Sequence, residues 1–379
     1  MDDNVLIVGA GLAGARCAEA LRAGGYDGRI LLVGEEGHPP YERPALSKDL
    51  LVGRKEPEAL ALRPDGHWQN LGVDVLIGTR IERIDARSRT AVTGGGRILP
   101  WRSLVLATGA RARTLDELPS GVHVLRTVAD ALELRRELRP GRRLVVVGAG
   151  FIGGEVATSA STLGADVAVI EAAGVPLERV LGLEVGSLIA RRYREQGIHL
   201  HLGAGLAGFR RGPAGRVRGV LLSDGSELAC DAAVLGIGAE PVAPTGAPAG
   251  SGGIPTDACG RTALPGVYAC GDAASTLRPS LGRRVRLEHW SDAAAQGAAV
   301  AAAILGREEP HDDPPYFWSD QLGLRLQYVG HGDGWSRVEI DGHAGSFGAR
   351  YLDAEGALVA GLLVNRPADV ATLRRELAA

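Results

Sequence analysis

Val5-Leu6-Ile7-Val8-Gly9-Ala10-Gly11-Leu12-Ala13-Gly14 opens the chain as an apolar strand running through a glycine-rich turn into a helix. The pattern returns at Leu144-Val145-Val146-Val147-Gly148-Ala149-Gly150-Phe151-Ile152-Gly153. Each copy is followed by a second strand and an acid: Ile30-Leu31-Leu32-Val33 precedes Glu35, and Val167-Ala168-Val169-Ile170 precedes Glu171. In such a unit the first glycine permits a sharp turn, the second admits a pyrophosphate against the backbone, and the third lets helix and strand pack. Unpaired N–H groups at the helix N-terminus favour phosphate, and the acid accepts hydrogen bonds from ribose hydroxyls. A tight turn without a ligand is the plainer reading of either copy alone. Strand, turn, helix, strand and acid, present twice, predict two bound dinucleotides and electron transfer between them.

Of the 379 residues 45% are hydrophobic and 23% charged, the balance of a soluble globular chain with room for two or three domains. A net charge of −3 gives no bulk attraction to nucleic acid. Met1-Asp2-Asp3-Asn4 lacks the basic start and apolar core of a secretory signal. No stretch is long and apolar enough to span a bilayer. The alanine-rich segment from Asp292 to Leu305 is too short, and Gly306 closes it like a helix C-cap. The expectation is a cytoplasmic protein with neither a membrane nor a nucleic-acid partner. Cys17, Cys230, Cys259 and Cys270 form no Cys-x-x-Cys pair and no zinc-like cluster with histidine, so no metal site is expected and the thiols read as buried and inert.

Both halves share one plan: glycine turn, acid, crossover, and a late strand ending in glycine, at Leu104 to Gly109 and at Ala233 to Gly238. This is an internal duplication. Between them Leu71 to Asp85 reads as a strand pair, and Pro241 to Gly253 as a linker rich in proline, glycine and alanine. Gly266 to Asp272 reads as a strand meeting a helix N-terminus, returning to complete the first unit. From about Asp313 the pattern alternates like antiparallel strands, at Leu324–Val329, Trp335–Ile340, Gly345–Leu352 and Leu358–Val364, before a helix from Ala368 to Leu377. The fold class is therefore α/β: two Rossmann-like three-layer dinucleotide-binding domains plus a C-terminal α+β domain. The expected boundaries are 1–110 with 241–312, then 111–240, then 313–379.

Several segments are more specific: Arg43-Pro44-Ala45-Leu46-Ser47-Lys48, Ala107-Thr108-Gly109-Ala110-Arg111, Gly150-Phe151-Ile152-Gly153-Gly154-Glu155, Glu288-His289-Trp290 and Phe317-Trp318-Ser319-Asp320-Gln321. On these the chain resembles, over essentially its whole length, the FAD-dependent, NADH-linked ferredoxin reductases of bacterial oxygenase systems, in the flavoprotein superfamily that includes glutathione reductase. It departs from them at Ala45, where the family has proline, and at Val242, where asparagine is common.

The resemblance implies FAD on the first domain and NADH on the second. Gly9, Gly11 and Gly14 would hold the FAD pyrophosphate and Glu35 its adenosine ribose. Asp272 would bond the ribityl chain or simply cap backbone N–H groups. The other FAD-side positions are Leu12, Ala13, Arg43, Ala107, Thr108, Gly109, Arg111, Gly271, Glu288, His289 and Trp290. Gly148, Gly150 and Gly153 would hold NADH, with Phe151, Ile152 and Gly238 beside them and Glu171 on the ribose. That acid disfavours the extra phosphate of NADPH, and no arginine follows it directly. Lys48 and Glu155 would form the catalytic pair. By the resemblance the lysine lies beside flavin N5 and favours the anionic reduced flavin, and the glutamate keeps it charged. An ordinary salt bridge is the alternative. Trp290 and Trp318 read either as flavin neighbours or as core.

Disulfide-reducing relatives carry cysteine where residues 36–51 here have none, so electrons must leave for an external acceptor. The implied activity is an NADH-dependent ferredoxin reductase feeding single electrons through an iron–sulfur ferredoxin to an oxygenase. A rubredoxin partner, an NADH oxidase or quinone reductase, and a non-catalytic flavin redox sensor stay open, as do monomer and homodimer. Arg278, Arg283, Arg284 and Arg286 read either as a docking patch for an acidic ferredoxin or as a solvated loop in which Arg286 pairs internally.

Overall fold

The computed structural model describes residues 3–343 and 345–378. Its contacts fall into two units: Met1–Glu42, Leu60–Arg111 and Glu240–Pro315 form the first, and Arg43–Ala59, Ala112–Ala239 and Tyr316–Ala379 the second.

The first unit is built on a five-stranded parallel sheet in the order Val267–Ala269, Ser103–Leu106, Asn4–Val8, Arg29–Val33, Val73–Leu76. Val8 pairs with both Val33 and Leu106, so three strand ends reach one level, and there the chain turns at Gly9. The strands are near-continuous apolar runs because both faces are covered. On one face lie the Leu12–Ala23 and Trp290–Ile304 helices. They approach so closely that a Cβ on Gly297 would stand 2.4 Å from the Ala13 carbonyl oxygen. This explains the alanine-rich run from Asp292 to Leu305: it is a buried helix, with small residues at a tight crossing. On the other face the Ile81–Asp85, Thr90–Thr93 and Ile98–Pro100 strands form an antiparallel sheet, packing Ile81, Ile84, Ala91 and Leu99 on Leu6, Val8, Leu104 and Leu106.

Three expectations change here. The two strands within Leu71 to Asp85 do not pair with each other, because Gly78 (φ +64°) redirects the chain from the parallel sheet to the antiparallel one. The segment Pro241 to Gly253 is docked rather than loose: Thr245 exchanges backbone hydrogen bonds with Glu82 and Ile84, both at 2.8 Å. Asp272 does not begin an α-helix. It sits in a 3-10 turn, Gly271–Ala273, that leads into the Ala274–Arg278 strand, whose alternating burial marks it as β structure.

The second unit repeats the plan. Its parallel sheet runs His199–Leu202, Asp166–Glu171, Arg143–Val147, Ala232–Leu235, Val122–His123. An antiparallel sheet, Leu206–Arg211, Val217–Leu222 and Glu227–Ala229, again covers one face. The two parallel sheets have matching order, which bears out the duplication. Their fifth strand differs in origin, coming late in the chain in the first unit and early in the second. The Val128–Glu137 helix starts on a Thr127/Asp130 capping box. The C-terminal part is a five-stranded antiparallel sheet in the order Tyr316–Gln321, Leu324–Gly330, Leu358–Val364, Ser346–Leu352, Arg337–His343, with the Val370–Ala378 helix packed on it. Its first strand was not anticipated. Among the described residues no helix is long and apolar enough to cross a membrane.

The Gly297 crossing yields a stability prediction. Gly297→Val should cost about 1–3 kcal/mol by forcing the helices apart, read as a lowered thermal midpoint. An unchanged midpoint would mean the crossing has slack.

Candidate functional site

The two glycine turns can be tested position by position. In the first, Gly9 has φ +115° and its Cβ would lie 2.0 Å from the Ala107 carbonyl oxygen. A Cβ on Gly14 would lie 2.1 Å from the Gly9 carbonyl oxygen. In the second, a Cβ on Gly148 (φ +99°) would lie 2.5 Å from the Gly236 carbonyl oxygen, and one on Gly153 2.0 Å from that of Gly148. Internal packing thus explains the outer glycines. It does not explain the middle ones: a Cβ on Gly11 or Gly150 would meet no described atom within 4 Å. Both are extended N-cap residues of helices, Leu12–Ala23 and Phe151–Thr162, that no side chain caps. Open space over an uncapped helix N-terminus fits a pyrophosphate approaching backbone N–H groups. The residues present fit two dinucleotides.

The acids behave differently. Glu35 lies past its strand, more than half exposed, and pairs with Arg80 at 3.2 Å. Glu171 holds its own turn: one oxygen accepts the Ala149 N–H at 2.7 Å and the other the Ala173 N–H at 2.9 Å. A carboxylate has about four acceptor sites, so Glu171 can still receive ribose hydroxyls while bracing the loop.

Around the first turn, Gly271 meets the Ala13 methyl, where its own Cβ would come within 2.9 Å. Its N–H donates to Gln296 Oε1 at 2.9 Å. This sets Asp272 beside the start of the Leu12–Ala23 helix. The Asp272 carbonyl accepts from Arg286 Nη1 at 3.3 Å, and Arg286 also pairs with Glu288 at 2.7 Å. His289 is the N-cap residue of the helix that Trp290 begins, and the Trp290 indole donates to Glu42 at 2.7 Å. Ala107 donates to the Val8 carbonyl at 2.7 Å, and Gly109 has φ +69°. Thr108 donates to the Val242 carbonyl, and Val242 donates to Gly109 at 3.0 Å. These bonds use the backbone of Val242, so the missing asparagine leaves the path intact. Arg111 pairs with Glu240 at 2.6 Å on the surface.

In the second unit, Arg43 donates to the Arg126 carbonyl, and Gly238 (φ +99°) accepts from the Arg113 N–H at 2.9 Å. Ile152 leaves an apolar side chain 46% exposed beside the second turn. Phe151 packs edge-on against Phe317, with centroids 4.7 Å apart. Trp318 stacks on Tyr316 at 6.2 Å.

Lys48 and Glu155 are brought together, Nζ to Oε1 at 2.7 Å, with the segment Arg43–Ala59 grouped in the same unit as the Phe151–Thr162 helix. Glu155 is only 4% exposed. Lys48 is one of just two lysines among 42 lysines and arginines, the other being Lys55. A chain that otherwise uses guanidinium keeps a compact ammonium here, a point charge without a planar fork. Sequence reasoning missed the hydroxyls beside it. Ser47 Oγ donates to Glu155 Oε2 at 2.5 Å, and Ser319 Oγ donates to Oε1 at 2.6 Å. Both serines lie inside quoted motifs, but nothing in their spacing links them to residue 155.

The arginine run does not form one patch. Arg278 is buried, its guanidinium paired with Asp292 and donating to the His311 carbonyl at 3.0 Å. His311 Nε2 lies 2.8 Å from the same carboxylate, and Gln296 donates to its other oxygen at 2.5 Å. Burial acts to raise the Asp292 carboxyl, but the His311 hydrogen bond and the Arg278 charge outweigh it and hold the group below the usual aspartate range. Arg283 and Arg284 are exposed.

All four cysteines are buried and free. Burial, with Cys270 nearby, pushes the Cys17 thiol far up, and burial raises Cys270 to about 12 and Cys230 to about 11. Thiols held protonated this way are poor nucleophiles and poor redox partners. No metal-ligating cluster occurs among the described residues.

Residues 3–297 match the pyridine nucleotide-disulphide oxidoreductase family, and residues 316–379 match the reductase C-terminal family. The chain belongs to the pyridine nucleotide-disulphide oxidoreductases. It is 37% identical over 385 residues to the ferredoxin–NAD(+) reductase component of the anthranilate 1,2-dioxygenase system of Burkholderia cepacia, covering 100% of this chain and 94% of that one. The reductase in the crystal structure of the covalent putidaredoxin reductase–putidaredoxin complex matches with a TM-score of 0.94 and 33% identity, over 99% of this chain and 93% of that one. Human apoptosis-inducing factor 3 is 36% identical over 348 residues, 89% of this chain and 57% of that protein.

The Asp292 carboxylate generates the next prediction. Asp292→Asn leaves the Arg278 charge buried without its partner and should cost about 3–5 kcal/mol at neutral pH. Because the native carboxyl titrates low, its contribution is complete above about pH 4 and is lost as the pH falls further. Denaturant unfolding should show the gap between variant and wild type holding down to that pH and narrowing below it.

Proposed function

We propose that this chain is an FAD-dependent NADH:ferredoxin oxidoreductase that supplies single electrons, through an iron–sulfur ferredoxin, to an oxygenase. Two glycine turns, at whose middle glycines an added Cβ would meet no described atom within 4 Å, carry this reading, in a chain whose thiols are all buried. FAD and NAD(H) are the cofactors. Residues 1–110 with 241–312 would bind FAD, with Gly11 admitting the pyrophosphate, Glu35 the ribose and Asp272 the ribityl side. Residues 111–240 would bind NADH on Gly150, with Glu171 accepting both ribose hydroxyls and opposing a 2′-phosphate. Residues 313–379 form the C-terminal domain. A flavin bound there supplies the exchange of a two-electron hydride for single electrons, which an iron–sulfur acceptor requires. Lys48, oriented by its ion pair with Glu155, offers a preorganised cation for the negative charge that builds during reduction. No residue need act as a general base, and the protein's task is alignment. With Arg278 buried, an acidic partner docking on this loop would reach Arg283 and Arg284, both exposed, rather than the whole run.

The similarity to apoptosis-inducing factor 3 favours one second reading, a flavoprotein that senses NADH with little turnover.

Steady-state NADH-dependent cytochrome c reduction, with and without a panel of ferredoxins, separates these. A rate that climbs with one ferredoxin supports the reductase. Peroxide formation at full rate without any carrier indicates an oxidase. Slow turnover with every carrier and a long-lived reduced complex indicates the sensor.

The middle glycines give a paired prediction. Gly11→Val should fold and lose its visible flavin absorbance. Gly150→Val should keep the flavin while its KM for NADH rises. Retention of flavin by the first variant would overturn the assignment of that turn.

A further inference from the structure

The geometry points to Ser319, on the first strand of the C-terminal domain, as a positioning residue for the Lys48–Glu155 pair. This rests on the reductase reading above and adds a residue to it. Every second residue of the Tyr316–Gln321 strand reaches the Phe151–Thr162 helix. Phe317 meets Phe151, Ser319 meets Glu155, and Gln321 lies so close to Gly154 that a Cβ there would come within 1.8 Å of its Oε1. Just past the strand, the Leu322 N–H donates to Thr158 Oγ1 at 2.9 Å. A period of two on the strand thus runs beside a period of about four on the helix, and the alignment fixes where the Ser319 hydroxyl falls.

That hydroxyl has a determined direction. Gln321 Nε2 donates to Ser319 Oγ at 3.0 Å, so the serine proton is the one free to point at Glu155 Oε1. Ser319 is 1% exposed and Gln321 2%. The same carboxylate oxygen receives Lys48 Nζ at 2.7 Å, while Ser47 takes the other oxygen. Ser47 is itself fixed, its carbonyl accepting from Ser159 Oγ at 2.6 Å. A buried carboxylate is stable only when its lone pairs are matched. With one donor from the proline-loop serine and one from the C-terminal strand, Glu155 has a single orientation, and that orientation places the lysine. The Lys48 ammonium also donates to the Pro44 carbonyl, at a long 3.4 Å.

The test uses the scarcity of lysine. Competitive acetylation of the flavin-loaded protein with acetic anhydride, read by mass spectrometry, compares Lys48 with Lys55, whose side chain is 49% exposed. Ser319→Ala should raise the Lys48/Lys55 labelling ratio about tenfold, the worth of one hydrogen bond to a charged group. Ser319→Thr, which keeps the hydroxyl, should restore it. In dye-linked NADH oxidation, Ser319→Ala should lower kcat by up to about 10²-fold with KM unchanged. Ser47→Ala, acting on the other oxygen, should raise the ratio independently. An unchanged or lowered ratio in Ser319→Ala, or no recovery with threonine, overturns the inference. The labelling needs no electron acceptor. A wild-type protein that fails to reduce any ferredoxin would therefore refute the reductase reading without deciding the role of Ser319.

Discussion

A carboxylate removed from water must be matched, and the centre of the second unit is arranged around that demand. Glu155 lies one helical turn past the second glycine turn, on a helix whose N-terminus is open to a ligand. Its matching donors come from a loop more than a hundred residues earlier and a strand more than a hundred residues later. Three distant segments must therefore converge within hydrogen-bond distance before the site is stable. A partly satisfied polar cluster is costlier than an apolar one, so the convergence is all or none. Folding the second unit and placing the lysine against its carboxylate become one event.

The duplicated sheets supply the scaffold for this. Each carries its glycine turn at the carboxyl end of its central strand, where doubly wound sheets bind their ligands. The two copies are not equivalent in detail. Glu171 braces its turn through the Ala149 N–H, whereas Glu35 stands outside and pairs with Arg80. The second turn is thus held in shape by its own acid. The first is held by the Gly271 turn leaning on Ala13. The thiols of both units are buried.

Much of this was legible beforehand, for identifiable reasons. Glycine turns, the acids that follow each second strand and the returning strand at Val267 announce themselves by local pattern, and local pattern is what periodicity reports. The Lys48–Glu155 pair was legible through resemblance; its two side chains meet at 2.7 Å, and its chemistry is the proposal made above. What escaped had partners distant in sequence or conformations unusual for the residue. The hairpin joining Gln321 to Leu324 turns on Leu322 (φ +56°) and Gly323 (φ +70°). A leucine in the left-handed region gives no turn signal, and so the strand before it was overlooked. Arg278 looked like one of a surface run, and only the buried Asp292 reveals otherwise. Asp272 was placed at a helix start because a strand ending in Gly-Asp commonly leads there, but the alternating residues that follow belong to a strand.

The differing source of the fifth sheet strand bears on how the chain is made. The first residues to emerge during synthesis, Asn4–Val8 and their neighbours, cannot finish their sheet until Val267–Ala269 has been made, nor bury the Leu12–Ala23 helix until Trp290–Ile304 follows. The sheet of the second unit already has all its strands by Leu235. The earliest segment therefore waits with an unpaired edge at Ser103–Leu106 while a later one closes. Long-range parallel pairing of this kind is slow and exposed to misassembly. For the two parallel sheets, birth order and completion order are thus reversed.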